Sequence, residues 1–555
     1  MPKYVFVTGG VLSGIGKGTT AAAIGKLFQF RGLEVDMIKI DPYLNVDPGT
    51  LNPIEHGEVF VTDKVWKFTP YKGFTFTIAE IDQDFGTYER FLDKNMHPRN
   101  NITSGQVYLS TLLQERAGEF LGETVQIIPH VTDEIKRRIR MVAEESSPDV
   151  LITEIGGTVG DIEASPYLEA VRQFRLEEDP GQTALVHVTL VPYLETVGQL
   201  KTKPTQHSVK TLLSAGLQPD VIVARGKRPL TESARRKISL YSNVPPKAVI
   251  SNPDTPVTYS IPLLFEKQGL GDYLCDILRL RTRRPKLSSW EKTVQLFERK
   301  KEPVWIAMPG KYTQILDSYV SINKAIEHAA VALGVEAKIE FVDTEIVEED
   351  PSRVEIVDKY HGILLTPGFG TRGAEGMIKV AQRALNSRIP FLGICFGAQL
   401  FFIAFCREKG LEEANSTEVD ADTPHPVVDL LPEQRKISEK GGTMRLGAHE
   451  IVVKRGSKLF DAYKKERVRE RFRHRYHIIP KYARRFEGRG LTISAMDVSE
   501  RIINAIEVEG DHWMVGVQFH PEFTSRPNRP NPVYVEFLRA ALRRKRTSSS
   551  GGASR

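Results

Sequence analysis

The chain has 555 residues, enough for two or three domains that each bury a core, and its composition, 41% hydrophobic and 26% charged, is globular rather than disordered. The formal net charge of +6 is modest for this length and no apolar window approaches a bilayer span, which argues against a nucleic-acid-coating or membrane protein. Three cysteines, Cys275, Cys395 and Cys406, are too few for a disulfide framework; with a first apolar run that passes straight into a glycine loop instead of a leader, they point to a cytoplasmic location.

Tyr4 to Val7 alternates into a buried strand, the following stretch to Lys17 is rich in glycine, and Ala22 to Phe30 reads as the opening of a helix. Strand, loop and helix in that order make a phosphate cradle, so the first half holds a nucleotide. Five residues rather than four separate Gly10 from Gly16, and Gly18 follows Lys17 where a Ser or Thr hydroxyl ordinarily meets magnesium. Carboxylates at later strand ends must then carry the metal. The candidates are Asp41, two residues after Lys39 at the end of a strand from Val35, then Asp82 and Asp84, and Glu154 and Asp161 around a glycine-rich turn. Further strands are expected at Val150 to Ile155, Thr183 to Leu190, Val221 to Arg225 and Ala248 to Ile250, with a helix over Thr132 to Glu145. This α/β rhythm predicts a parallel sheet covered on both faces. Lys201 to Ser208 gathers two Lys and three hydroxyls around Pro204, which suits a second triphosphate.

Charged and Pro-containing sequence from 281 to 302 reads as a linker between a domain at 1–280 and a second at 303–542. The second domain's strands are expected at Val304 to Met308, Ala337 to Val342, Gly362 to Thr366, Pro390 to Ile394 and Trp513 to Phe519. Gly393 and Gly397 flank Cys395 between a strand and an apolar helix, the spacing of a nucleophile elbow, which would leave the thiol open at a positive helix end. His520 and Glu522, two apart after a strand, suit a base and the carboxylate that orients it. Gly368, in a third strand-to-glycine turn, and Phe396 could offer backbone N–H groups to an oxyanion. The basic run Lys464 to Arg475 reads as a solvated helix, and 543–555 as a disordered basic, Ser/Gly-rich tail.

Taken together, Thr8 to Gly18, Lys39 to Tyr43, His56 to Val61, Glu154 to Glu163, Lys201 to Gln206 and Gly441 to Gly447 closely resemble the motifs of the CTP synthase family over nearly the whole chain. The resemblance implies two doubly wound α/β domains, the first a P-loop domain of dethiobiotin synthetase type and the second a class I glutaminase. It implies that ATP phosphorylates O4 of UTP and that ammonia from glutamine displaces the phosphate. By matching position, Gly14, Ile15, Gly16, Lys17, Gly18, Thr19 and Asp84 would bind ATP, with Asp84 and Glu154 on Mg2+ and no organic redox cofactor. Ser13, Lys201, Thr202, Lys203, Pro204, Thr205, Gln206 and Lys237 would bind UTP, and Asp161, Ile162 and Glu163 the feedback inhibitor CTP. Cys395, His520 and Glu522 match the triad. Gly368, Phe396, Gly397, Ala398, Gln399, Glu418 and Arg475 match the glutamine pocket. Pro53, His56 and Val59 match the ammonia tunnel, and Arg372 a lid linked to activation by GTP. A homotetramer follows from the family, with no nucleic-acid or membrane partner.

Three departures stand out. Lys64 to Ala79 replaces a short acidic turn with an apolar and basic insert ahead of Asp84, Pro367 replaces the first glycine of the family's Pro-Gly-Gly-Phe-Gly, and Gln199 and His477 stand where acids are expected. Two rival readings stay open on sequence: an amidoligase acting on another substrate, and a catalytically impaired paralogue serving as nucleotide sensor or filament subunit.

Overall fold

In a computed structural model, which describes residues 2–52, 56–311, 316–436 and 442–551, the chain divides into two compact units. One comprises Met1–Pro48 with Trp66–Glu298, the other Gly49–Val65 with Arg299–Arg555.

The first unit is built on seven parallel strands in the order β11-β10-β7-β1-β6-β2-β5. They are β1 (Lys3–Gly9), β2 (Val35–Asp41), β5 (Asn101–Thr103), β6 (Val150–Ile155), β7 (Thr183–Leu190), β10 (Val221–Gly226) and β11 (Val249–Pro253). Their runs of Val, Ile, Leu and Phe are buried on both faces, as a sheet covered by helices on each side requires. Tyr4 and Phe6 of β1, for example, meet Phe174 edge-on at 4.8 and 5.4 Å. After β1 the chain moves out toward β2, and after β7 it moves the other way toward β10, so the switch point lies between these neighbours. Ligands of such sheets bind outside the carboxyl ends of the strands at that point. Here the glycine loop after β1 and the segment Lys201–Gln206 after β7, beyond the short pair β8 (Tyr193–Leu194) and β9 (Gln199–Leu200), both leave the sheet at that edge.

The second unit carries a nine-stranded mixed sheet in the order β13-β12-β14-β15-β23-β22-β21-β18-β19. Its parallel part is β12 (Glu302–Gly310), β13 (Val335–Asp343), β14 (Gly362–Leu365), β15 (Phe391–Ile394) and β23 (Met514–Val517). The antiparallel extension is β18 (Arg445–Val453), β19 (Arg467–His474), β21 (Leu491–Asp497) and β22 (Ile503–Val508). A small sheet of β16 (Ala414–Ser416), β17 (His425–Leu430) and β20 (Tyr476–Ile478) stands beside it. The α/β architecture expected from the strand and helix rhythm holds in both units.

Several local expectations are corrected. The helix after the glycine loop, α1, runs Lys17–Phe30, so it begins at the lysine itself. The insert 64–79 lies in a hairpin of β3 (Val59–Tyr71) and β4 (Phe74–Asp82) with Gly73 at φ 88°, its middle held by Thr69 and Thr75 hydroxyls 3.1 Å apart. Within the first unit Phe68 of this hairpin receives the Arg138 guanidinium at 4.8 Å from its ring centroid. The linker reading of 281–302 gives way to a helix, Ser288–Glu298, which belongs to the first unit through Trp290, whose indole N–H donates to Tyr259 O at 2.8 Å. The tail is helical as far as Gly551 in a helix from Pro532, because Val533, Tyr534, Phe537, Leu538 and Ala541 recur at helical spacing and are fully buried.

Two corrections share one cause. The basic run is strand β19 rather than a helix, and Gly49–Val65 belongs to the second unit although it lies within the sequence of the first. Arg471 of β19 is fully buried; it pairs with Asp63, donates to Val61 O at 2.9 Å, and lies 5.2 Å from the Phe60 ring. Glu58 accepts from Ser321 N at 3.0 Å, and Phe60 meets Phe523 edge-on at 5.1 Å. Replacing Arg471 by Ala should remove about 2–4 kcal/mol from the second unit, since a buried carbonyl and a carboxylate lose their cation. Scanning calorimetry would register this as a lowered transition, and an unchanged thermogram would show that Gly49–Val65 is held by something else.

Candidate active sites

In the first unit the glycine loop closes on α1 with Gly14 and Gly16 at φ 71° and 88°, a left-handed backbone that glycine adopts without strain. The first N–H groups of α1, from Lys17 on, have no intrahelical partner and are free for phosphate. The Lys17 side chain is buried, which pulls its pKa below the ordinary lysine value, and its ammonium donates to Gly157 O at 2.8 Å. Val159 N donates to Gly9 O at 2.8 Å, and a Cβ on Gly160 would touch Thr211 at 3.4 Å. The turn carrying Asp161, Ile162 and Glu163, all exposed, is thereby fastened to the glycine loop and to the helix α2 (Lys203–Ser214). Asp161 itself caps that turn, accepting from Thr158 N at 2.7 Å.

The missing hydroxyl after Lys17 has a steric explanation. A Cβ on Gly18 would lie 2.4 Å from Asp84 Oδ1, so the Asp84 carboxylate fills the space a side chain would use. Asp84 opens a helix right after the hairpin strand β4 and pairs with Lys39. Around the buried Lys39 ammonium also stand Asp82 at 3.4 Å, Glu154 at 3.6 Å and Asp41 at 3.8 Å. Lys17 is the second cation acting on this cluster, so two ammonium groups face four carboxylates. Burial, assisted by the neighbouring Asp82, raises the Asp41 pKa to about 8; burial raises Glu154 to about 7 against the pull of Lys39. Tyr88 donates its hydroxyl to Glu154, and Asn101 donates to Asp41 at 2.7 Å. Among the described residues no three His, Cys, Asp or Glu are already arranged as a metal cage. The donor set fits magnesium: hard carboxylate oxygens with negative charge to spare.

Of the second nucleotide segment, Thr202, Thr205 and Gln206 are buried, Thr205 donating to Leu190 O at 3.0 Å and Gln206 to Thr202 at 3.0 Å. Lys203 and Ser13 are exposed, Lys201 half-buried, and Lys237 is exposed on the helix Glu232–Ser242. A residue without a sequence signal joins the two loops. His187 of β7 is buried between Thr8, 3.0 Å from Nδ1, and Ser208 of α2, 2.7 Å from Nε2, and burial lowers its pKa to about 3, so it works as a neutral bridge.

In the second unit three adjacent parallel strands deliver the chemistry from their carboxyl ends: β14 leads to Gly368, β15 to Cys395, and β23 to His520 and Glu522. Cys395 sits at φ 53°, ψ −106°, a strained elbow. A Cβ at Gly393 would meet Gly397 O at 2.8 Å, and one at Gly397 would meet Leu365 O at 2.3 Å, so both glycines are sterically required. The thiol is not open as expected but only 6% exposed, because Sγ lies beneath Arg473 O at 3.5 Å and the Gln518 amide at 3.6 Å. His520 Nδ1 lies 2.6 Å from Glu522 Oε1, and Tyr534 OH donates to the other carboxylate oxygen at 3.5 Å. Burial opposes the imidazolium, yet Glu522 and the neighbouring Cys395 outweigh it and raise the His520 pKa to about 10. Phe523 stacks on the imidazole at 5.3 Å.

Gln399, fully buried, donates to Tyr476 O at 2.9 Å and to Gln518 at 3.1 Å, which ties the helix Phe396–Glu408 to the backbone beside the thiol. Gly368 stands beside Phe396, whose ring would lie 3.6 Å from a Cβ there. Lys311, missed in the sequence, donates to Phe369 O at 2.9 Å, lies 4.4 Å from the Phe396 ring centroid, and is lowered by burial to a pKa of about 8. Glu418 accepts from Gly370 N at 2.9 Å, so the loop that Pro367 stiffens is held from two sides. Arg475 turns its guanidinium to Gln434 at 2.9 Å and Thr443 at 2.8 Å. Arg372 pairs with Glu345 at 2.9 Å and donates to Lys311 O at 3.3 Å. Val59 is buried and His56 exposed; Pro53 and Gly441 lie outside the described residues.

A phosphate cradle backed by carboxylates in one unit and a Cys-His-Glu elbow in the other define a nucleotide-dependent ligase joined to a class I glutaminase. Residues 3–280 match the family model described as CTP synthase N-terminus, and residues 314–540 match that of Glutamine amidotransferase class-I. The CTP synthase of Pyrococcus furiosus is 50% identical over 543 residues, 98% of this chain and 98% of its own, and that of Methanopyrus kandleri is 49% identical over 542 residues, 97% and 99%. A solved structure titled "Trypanosoma brucei CTPS - glutaminase domain with bound acivicin" is 34% identical with a TM-score of 0.41, covering 43% of this chain and 94% of that one. The chain belongs to the CTP synthase family.

Restoring the usual hydroxyl by Gly18→Ser should damage the cradle, because the new side chain collides with Asp84. CTP formation from free ammonia is expected to fall by about 10²-fold or more; a rate equal to or above the parent's would refute the steric account. Glu522→Gln removes the largest influence raising the His520 pKa and should let burial pull it down from about 10, so that less of the imidazole is protonated at neutral pH. Glutamine hydrolysis should then drop by about 10²-fold or more, with the ammonia-driven reaction intact and the His520 proton lost from the neutral-pH NMR spectrum.

Proposed function

We propose that this chain makes CTP from UTP, ATP and glutamine, with the first unit phosphorylating O4 of UTP and the second releasing the ammonia that replaces the phosphate. The observation that supports this most directly is the Asp84 carboxylate in the space beside Gly18, with Lys39, Asp82 and Glu154 around it and a second triphosphate-type segment at the same sheet edge. Magnesium, held by Asp84 and Glu154, would neutralise phosphate charge when bound with ATP. The α1 N-terminus from Gly14 to Thr19 receives the ATP phosphates, and Lys17 offsets the charge that moves to the β-phosphate as the γ-phosphoryl leaves. Ser13 and Lys201 to Gln206, with Lys237, hold UTP so that O4 faces the γ-phosphate. Ammonia then adds at C4 and the O4-phosphate departs. Lys39 keeps the carboxylates in place around this site, and Asp41 joins them as a further candidate of the synthase site.

In the second unit the Cys395 sulfur attacks the glutamine side-chain amide. His520, oriented by Glu522, gives its proton to the departing ammonia, and the N–H groups of Gly368 and Phe396 hold the oxyanion. Gly397, Ala398, Gln399, Glu418 and Arg475 position glutamine. Ammonia must reach UTP unprotonated, since an amine with a pKa near lysine's, about 10.4, is almost wholly protonated in neutral water; the stretch with Pro53, His56 and Val59 is its proposed route. Arg372 belongs to the GTP-responsive lid, and Asp161 to Glu163 meet the pyrimidine of CTP. Leu112, Leu121, Ile127 and Ile128, each more than half exposed, supply apolar surface that a homotetramer would cover. Among the described residues no helix is long and apolar enough to cross a membrane, and a cytoplasmic location is part of the proposal.

The experiment supplies ATP, UTP and magnesium with either glutamine or ammonia and follows CTP. Cys395→Ala should lose the glutamine-driven reaction, by about 10³-fold or more, and keep the ammonia-driven one. No CTP from either nitrogen source with the unaltered protein would end this reading in favour of an amidoligase acting on another substrate or of a sensor or filament role.

A further inference from the structure

Two helices and a turn enclose a cavity of about 740 Å³ in the second unit that the proposed chemistry does not use. Ser387 to Pro390 precede β15, and Gly510 to Trp513 precede β23, so it opens at the amino ends of the strands whose carboxyl ends carry Cys395 and His520. Its third wall is one face of the final helix, where Glu536, Arg539, Ala540, Arg543, Arg544 and Thr547 recur at three- and four-residue spacing.

The charges in this concavity do not balance. Asp461 is taken by Lys464 at 2.9 Å and Glu536 by Arg539, and the third acid of the lining, Asp511, stands near Lys458, which leaves three arginines in excess. Among the described residues Arg388, Arg543 and Arg544 have no carboxylate within ion-pair distance, while Lys458, half-buried, projects into the same space with its pKa lowered by burial. The macrodipole of a helix explains cations only at its last turn. That covers Arg388, at the end of the helix Ala374–Ser387, but not Arg543 and Arg544, which lie at least seven residues before Gly551. Like charges gathered on low-dielectric walls repel one another and focus a positive potential that only an anion relieves. Guanidinium groups are the side chains best shaped to grip phosphate oxygens in pairs, and the volume suits a small ligand.

We propose that this cavity is a second anion site that takes a chain of phosphates, with Arg388, Arg543 and Arg544 as its grips. It is independent of the nucleotide and glutamine sites. The phosphate chain could belong to inorganic polyphosphate or to a nucleoside triphosphate, and the test separates the two.

Full-length protein and the triple variant Arg388→Gln, Arg543→Gln, Arg544→Gln are titrated calorimetrically with sodium tripolyphosphate and, separately, with ATP. The parent should bind tripolyphosphate at one class of sites more than the variant, whose binding there is weaker by about tenfold or more. Replacing the same three arginines by Lys should recover part of the loss, with the melting temperature and glutamine hydrolysis of both variants unchanged. Loss with both probes supports a site that reads the phosphate chain, and loss with ATP alone supports one that also reads the nucleoside. Identical isotherms for parent and Gln variant with both probes would overturn the proposal. So would a variant that loses only affinity for a single-stranded oligonucleotide, since the surface would then belong to nucleic acid.

Discussion

A side chain on residue 18 and the carboxylate of Asp84 cannot occupy the same space. Much of the first unit follows from that exclusion. A phosphate loop without its hydroxyl needs an acid within reach of the helix N-terminus, and the acid must come from elsewhere in the chain. The β3-β4 hairpin brings it in, and Lys39 keeps it there. The cost is a buried cluster of four acids around the Lys39 and Lys17 ammonium groups, and burial raises the pKa values of Asp41 and Glu154. The resulting donor set is made of hard carboxylate oxygens, the kind a hard divalent cation prefers.

The second unit solves a different problem with the same topological device. Adjacent parallel strands end side by side, so residues far apart in sequence arrive at one edge: Gly368 after β14, Cys395 after β15, His520 after β23. The elbow stores strain at Cys395, and the close approach of Gly397 to the Leu365 carbonyl leaves no room for a substitute. The thiol is buried where an open one was expected. Gln518 and the Arg473 carbonyl cover it, and the His520 imidazole beside it is kept protonated by Glu522 in a place where water could not do so.

What the sequence made legible depended on whether the signal was local. The glycine loop, the glycines around Cys395 and the His-Pro-Glu spacing at 520–522 are short-range geometry, and a reader can recognise them residue by residue. Asp84 was reachable because the loop's defect demanded an acid, despite the insert before it. Lys311, Gln518 and His187 escaped, since each is a single polar residue in or beside an apolar strand and only the folded chain shows what it touches. The basic run at 464–475 misled for a subtler reason. Alternation of Arg with Val468, Glu470, Phe472 and His474 has a period of two, which marks a strand, but the abundance of charge suggested a solvated helix.

Segment 49–65 carries this lesson furthest. Every sequence criterion assigns it to the first domain, yet Phe60 packs on Phe523, and Phe523 stacks on the triad imidazole, while Arg471 closes over Val61 and Asp63. Strand β3 starts at Val59, beside Phe60, and runs to Tyr71, and β4 follows it as far as Asp82. A single strand is shared by two chemistries. Its residues must satisfy the packing of one unit at Phe60 and the burial of Phe68 in the other.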